Sequence, residues 1–121
     1  MVLHHLRSNN FQLSGIVLTK PNFKMVRDRN GNDMEVAIFN ISQTNTHPKT
    51  GKNYQKDFLV FTYNREVIAQ LKKMEMTFEV GCVGIIQISR RKGFARYMLN
   101  AECVEIMSVG KERLAIWEKG V

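Results

Sequence analysis

Helical spacing occurs convincingly in one short stretch of this chain. From Asn64 to Met74 (NREVIAQLKKM), Val67, Ile68 and Leu71 recur at the three-and-four interval of an amphipathic helix. Asn64 can cap the start, and Lys72 and Lys73 sit near the C-terminal end, where the helix dipole favours cations. Elsewhere the apolar residues mostly alternate with a period of two, the mark of half-buried strands. A chain so poor in helix has to close a mostly β core, and 121 residues suffice for one such core and not for two.

The alternating stretches come in a definite order. Asn10 to Leu18 (NFQLSGIVL) sets Phe11, Leu13 and Val17 on one parity, with Gly15 marking a bend or bulge. A chain reversal is expected between Thr19 and Asp33, helped by Pro21 and by Asn30-Gly31, a pair suited to turns that need positive φ. Met34 to Ser42 turns Ala37, Phe39 and Ile41 towards the core. The polar run from Thr44 to Lys56 reads as a long positive loop, a projecting hairpin. Asp57 to Tyr63 reads as a third strand, with Leu59, Phe61 and Tyr63 as its core row and Phe58, Val60 and Thr62 opposite. After the helix, Gly81 to Ser89 and Phe94 to Met107 are two more strands, joined by the basic hairpin Arg90-Arg91-Lys92-Gly93.

Five curved strands with one helix after the third predict an all-β, five-stranded Greek-key barrel, the OB-fold, which avoids exposed sheet edges by closing. The whole chain, 1–121, is expected to be one domain, with a core over about 9–107 and a short C-terminal extension over 108–121.

Composition narrows what such a barrel does. Lysine and arginine outnumber aspartate and glutamate by 18 to 11, a net charge of +7, which attracts a nucleic-acid backbone or an anionic membrane surface. Cys82 and Cys103 lie in apolar runs, and no signal sequence or membrane-spanning stretch is evident. Together they suggest a cytoplasmic protein with two buried thiols.

The spacings that catalysis or metal binding demands are missing. His4 and His5 are adjacent near the N-terminus, and His47 stands far from either cysteine, so no pair of close ligand pairs for zinc exists. Gly81, Gly84 and Gly93 do not match a phosphate-cradling loop and fit sheet curvature and a turn. Asp57, Glu66, Glu102 and Glu105 are read as solvated charges and local ion pairs. The expectation is a binding protein, with no enzyme activity, cofactor or metal.

What remains is cations interleaved with rings. Between Val80 and Ala101 the basic residues are Arg90, Arg91, Lys92 and Arg96, and Lys49, Lys52 and Lys56 form a second group with no acid from Thr44 to Lys56. In a small Greek-key barrel the loops between strands two and three and between four and five rise beside one binding face. The two groups are therefore expected to flank one groove and fix phosphates by charge. Tyr54, Phe58, Phe94 and Tyr97 lie near them as candidate stacking rings, with Phe58 favoured because its row opposes the expected core row. Trp117, beyond the last strand, is assigned to packing. Val36, Ile38, Phe58 and Val60 are expected to leave an apolar face uncovered, which predicts self-association.

Taken in order, these segments resemble the bacterial-type single-stranded DNA-binding protein family over roughly residues 9–107. The resemblance rests on NNFQLSGIVLTKP, on VAIFNIS after an Asn-Gly turn, on GKNYQKDF leading into the third strand, on the helix, on the strand opening at Gly81, and on the closing ECVEIM. Gly15 and Pro21 stand where the family has its first-strand glycine and the following proline. Val36, Ala37 and Phe39 resemble its Val-Ala-x-Phe pattern, and Asp57-Phe58 its acid followed by a stacking aromatic.

The resemblance implies an OB-fold that assembles as a homotetramer or dimer and wraps single-stranded DNA during replication, recombination and repair, without a cofactor. Two departures stand out: Gln87 lies where a mid-strand glycine is common, and Phe58 stands where a tryptophan is usual. The sequence also ends at Ala115–Val121 without the acidic tail of housekeeping members. That ending fits a short member from a phage, plasmid or other mobile element, and equally a truncated longer one. A primosomal accessory OB protein, an RNA-binding OB module and a protein-interaction barrel are the alternative readings.

Overall fold

The alternating rows close on themselves. The computed structural model describes residues 9–91 and 94–116, and only the backbone at 89–91, 94 and 95. Its elements are β1 (Asn10–Val17), β2 (Asn22–Arg27), β3 (Asp33–Thr46), β4 (Asn53–Thr62), α1 (Arg65–Lys73), β5 (Met76–Arg91) and β6 (Phe94–Arg113). Hydrogen-bonded neighbours run β1-β5-β6-β4-β3-β2, and β1 returns to β3 at Ile16–Ser42. That contact makes a ring of β1, β5, β6, β4 and β3, the five strands expected, with α1 inserted between β4 and β5. Gly15 permits the closure: a Cβ there would stand 2.5 Å from the Ser42 carbonyl oxygen, so a larger residue would push β1 off β3.

The core fills from the inward rows. Val17, Ala37, Phe39, Ile41, Val60, Phe78, Val80, Cys82, Ala101 and Leu114 meet there, and α1 adds Val67, Ile68 and Leu71. The helix begins where expected because Asn64 Oδ1 accepts from the backbone N–H groups of Glu66 (3.0 Å) and Val67 (3.3 Å). Such a cap contributes about 1 kcal/mol.

Several expectations are corrected. The segment assigned to chain reversal contains β2, an added strand that pairs with β3 outside the ring; its charges are tolerated because an edge strand leaves them in water. The Asn-Gly turn follows it, with Gly31 at φ 80°. The polar run from Thr44 to Lys56 is mostly ladder, since β3 continues to Thr46 and β4 starts at Asn53. Solvated on both faces, that part of the hairpin lacks the apolar alternation by which a strand is recognised.

The expected core row of β4 holds only at Phe61, which is 7% exposed; Leu59 and Tyr63 are exposed, and the main core row is the opposite one. The register pairs Ala37, Phe39 and Ile41 with Thr62, Val60 and Phe58, so the even-numbered residues of β4 share the core side. Val60 is 0% exposed and Leu59 53%. Thr62 is buried without penalty because its hydroxyl donates to the Ala101 carbonyl at 2.8 Å. Val36 and Val60 are thus buried, and Ile38 and Phe58 half-buried, so the four do not form one uncovered face.

Cys82 is buried and Cys103 is exposed, against the expectation of two buried thiols. They occupy adjacent rungs, Cys82–Val104 and Val83–Cys103, and side chains of successive rungs point to opposite faces. Burial raises the Cys82 thiol pKa to about 11. The last two strands also exceed their expected bounds: β5 starts at Met76, β6 runs to Arg113, and Leu114 beyond it packs in the core. Three register shifts between them let strands this long follow the barrel's curvature. Gly84 sits at one shift, where a Cβ would collide with the Asn100 carbonyl. Trp117 lies outside the described residues.

Candidate nucleic-acid interface

The two basic hairpins leave the barrel at the same end. β4 and β6 run parallel and touch at Val60–Leu99 and Phe61–Asn100. Each strand reaches that contact directly from its own hairpin turn, so both hairpins extend the same way from it. Asn53 to Leu59 and Phe94 to Met98 precede the contact, which at a rise of about 3.3 Å per residue gives arms of roughly 23 and 16 Å.

The β3–β4 arm has two chemically distinct faces. On the core side, Phe58 pairs with Ile41, Lys56 with Gln43 and Tyr54 with Asn45. Lys56 Nζ lies 5.9 Å from the centroid of the Tyr54 ring, so a cation and an aromatic face are presented together. On the other side a polar network ties the strands: Ser42 Oγ donates to Asp57 Oδ1 at 2.6 Å, Gln55 Nε2 donates to the same oxygen at 2.9 Å, and Thr46 Oγ1 donates to Asn53 Oδ1 at 2.9 Å. The hydrogen bond from Ser42, and then that from Gln55, hold the Asp57 carboxyl below its ordinary pKa. At the tip, His47 N–H donates to the Lys52 carbonyl at 2.8 Å and Gly51 N–H to the His47 carbonyl at 2.9 Å. Lys49 and Lys52 project from that turn into solvent.

On the β5–β6 arm the backbone pairs Arg90 with Ala95 and Arg91 with Phe94. The side chains of Arg90, Arg91 and Phe94, and the whole of Lys92, lie outside the described residues. Arg96 and Tyr97 are exposed, Tyr97 by 71% and cross-strand from Ile88. Phe58 is half-buried on the core-side row, not on the opposed face that the sequence suggests, because the β3 register ties it to Ile41.

A groove of about 520 Å³ runs along β2, β3, β4 and β6, with Val26, Ile38, Leu59 and Tyr63 on one flank and Arg96 and Tyr97 on the other. It unites Arg96 and Tyr97 with apolar residues that sequence reasoning did not select. The sequence pattern assigns Leu59 and Tyr63 to the core row; the signal that places them outside is the register against Ala37, Phe39 and Ile41, which puts the even-numbered residues of β4 on the core side. The structure therefore gathers Tyr54, Lys56 and Phe58 on one face of one arm, Lys49 and Lys52 at its tip, and Arg96 and Tyr97 at the base of the other arm. Among the described residues no group of three or more His, Cys, Asp or Glu side chains is disposed to hold a metal, and no helix is long and apolar enough to cross a membrane.

No family model matches the chain, and no curated protein matches its sequence. Its fold recurs in solved structures. A small single-stranded DNA-binding protein from Streptomyces coelicolor aligns over 84% of this chain and 95% of its own, with a TM-score of 0.57 at 15% identity. A single-stranded DNA-binding protein of Plasmodium falciparum, solved with single-stranded DNA, aligns over 87% and 97%, with a TM-score of 0.61 at 13% identity. The Saccharomyces cerevisiae mitochondrial protein Rim1 aligns over 88% and 100%, with a TM-score of 0.62 at 13% identity. This chain is accordingly an OB-fold-like mixed β-barrel with one helix between two barrel strands.

Proposed function

We propose that the protein holds single-stranded DNA without reading its sequence and without altering it, protecting the strand during replication, recombination or repair. The observation that carries the reading is the parallel contact of β4 with β6, which sends two cation-bearing hairpins from the same end of the barrel. Lys49, Lys52, Lys56 and Arg96, with Arg90, Arg91 and Lys92 of the second hairpin, neutralise phosphates. Tyr54 and Tyr97 stack on bases, joined by Phe94 and by whatever edge of half-buried Phe58 remains accessible. Rings accept any base, and lysines contact the backbone and not base edges, so such a surface ignores base order. The solved single-stranded DNA-binding proteins with this fold support the same ligand class. The reading needs neither cofactor nor catalytic residue, and it includes self-association into a dimer or tetramer.

The test is fluorescence anisotropy with a labelled oligothymidylate, followed by competition with unlabelled mixed-sequence single strands, duplex DNA and single-stranded RNA. The proposal expects mixed-sequence single-stranded DNA to compete about as well as oligothymidylate and duplex to compete poorly. Equal competition by duplex would overturn it. Stronger competition by RNA would replace it with an RNA-binding OB module.

A further inference from the structure

From Thr44 to Arg65 the chain carries a single acid, Asp57, among Lys49, Lys52, Lys56 and Arg65. None of these cations pairs with it. Among the described residues its partners are the neutral donors Ser42 and Gln55, at 2.6 and 2.9 Å, both on Oδ1, and the exposed carboxylate keeps Oδ2 free. The bonds from Ser42 and Gln55 fix the group against β3 and favour its ionised form. A neutral asparagine could tie the two strands as well, so the charge and the second oxygen exceed what that duty requires.

The ladder places this oxygen at the end of the groove. Pairing runs without a shift from Ala37–Thr62 to Thr46–Asn53, so Asp57, Leu59, Phe61 and Tyr63 share the outer face of β4. Leu59, Phe61 and Tyr63 line the groove with Arg96 and Tyr97, and no acid lines it. Asp57 follows Leu59 on that face, about 7 Å further along the strand towards the arm. Leu59, 53% exposed, offers a flat base an apolar seat whose neighbour is a fixed acceptor.

An ionised oxygen repels phosphate and accepts only from donors. Unpaired bases present their Watson–Crick edges, and on those edges only guanine sets two donors side by side, N1–H and N2–H. In adenine and cytosine the amino group adjoins a ring nitrogen with a lone pair, and in thymine the one N–H stands between two carbonyls. Each of these three bases would turn an acceptor towards Asp57. Oδ2 has two lone pairs, enough for both guanine donors while Oδ1 stays bonded to Ser42 and Gln55.

We propose that Asp57 reads one base of the bound strand: its Oδ2 accepts N1–H and N2–H from a guanine whose ring rests on Leu59. The inference rests on the reading that the protein holds single-stranded DNA, and it adds a single base contact to a grip otherwise indifferent to base order. The advantage of guanine at that nucleotide is about fivefold, the low end of what a two-donor contact discriminates, because the site is open to water.

The experiment displaces a labelled oligothymidylate from the whole protein with unlabelled oligothymidylates that carry one central guanine, hypoxanthine, 2-aminopurine, adenine or cytosine. The guanine strand is expected to compete about fivefold better than plain oligothymidylate. Hypoxanthine, which lacks the 2-amino group, and 2-aminopurine, which lacks N1–H, should each lose most of that advantage, and adenine and cytosine should show none. Asp57→Asn, checked by circular dichroism for an unchanged fold, is expected to bind oligothymidylate at least as tightly as the wild type and to erase the advantage, because its amide sets a donor where Oδ2 was. A residue that only clips the arm would instead weaken every strand alike and leave the ranking intact, which would overturn the proposal. So would equal competition by guanine and thymine strands in the wild type. Should the variant misfold, the wild-type comparison of guanine with hypoxanthine still decides, since equal competition by those two would rule out the paired donors. Failure to bind oligothymidylate at all would overturn the single-strand reading and this contact with it, whereas binding without a guanine advantage would overturn the contact alone.

Discussion

Phe58 and Tyr97 illustrate how aromatic side chains take two duties. Phe58 pairs with Ile41 on the core-side row, whereas Tyr97 leaves 71% of its surface in water. Phe58→Ala is therefore expected to lower stability by about 2 kcal/mol, less than the roughly 3–5 kcal/mol of a fully buried phenylalanine. Tyr97→Ala is expected to leave stability within about 0.5 kcal/mol and to weaken single-strand binding by about 1–3 kcal/mol. Urea unfolding and anisotropy on both variants check this; the reverse ranking of the two stabilities would show the β4 face assignment to be wrong. The cysteines make a second contrast. With its pKa raised to about 11, the Cys82 thiol stays protonated at neutral pH as well as enclosed, while Cys103 lies open. A thiol reagent should titrate one group promptly in the native protein and the second only after unfolding, and two prompt thiols would contradict the placement of Cys82.

The β3–β4 hairpin and the β5–β6 pair show which elements can be read from sequence and which cannot. Where one face is turned to the core and the other is wet, as in β1, alternation reveals the strand and its core row. In the arm from Gln43 to Lys56 both faces meet water, the alternation vanishes, and only the ladder and the Ser42–Asp57–Gln55 bonds reveal strand. From Phe58 to Phe61 β4 is apolar on both faces, so its period fixes no inside; the pairing with β3, a long-range fact, does. β2 is short, charged and attached by one side, which is why it passes for a turn. The proposed cationic contacts rest on runs without acids, which a sequence displays directly, whereas the groove around Leu59 and Tyr63 depends on register. Gly84 is an element-scale requirement of the same kind: its missing Cβ lets β5 pass the Asn100 carbonyl at a bulge. Gly84→Ala is expected to cost about 3 kcal/mol in thermal or urea unfolding, and a change under about 0.5 kcal/mol would mean that β5 and β6 do not approach there as described.

At the scale of the whole molecule the charge is unevenly spread: the run from Thr44 to Lys56 has three lysines and no acid, whereas residues 76–88 and 97–109 of β5 and β6 have three glutamates and no lysine or arginine. Such a distribution favours approach of a polyanion to the end of the barrel that carries the arms. If the arms work by neutralising phosphates, their contribution is counterion release, and this has a signature that packing does not share. For a single strand, log affinity falls against log salt with a slope of about 0.7 per phosphate neutralised. The most direct measurement is that slope for the wild type and for Lys49→Gln/Lys52→Gln/Lys56→Gln, with folding of the variant confirmed by its melting curve. Weaker binding to every single-stranded sequence by a similar factor is expected, with an unchanged melt and a slope shallower by up to about 2, or about 0.7 for each contact removed. Parallel salt lines with equal slopes would contradict it, because the β3–β4 arm would then hold no phosphates.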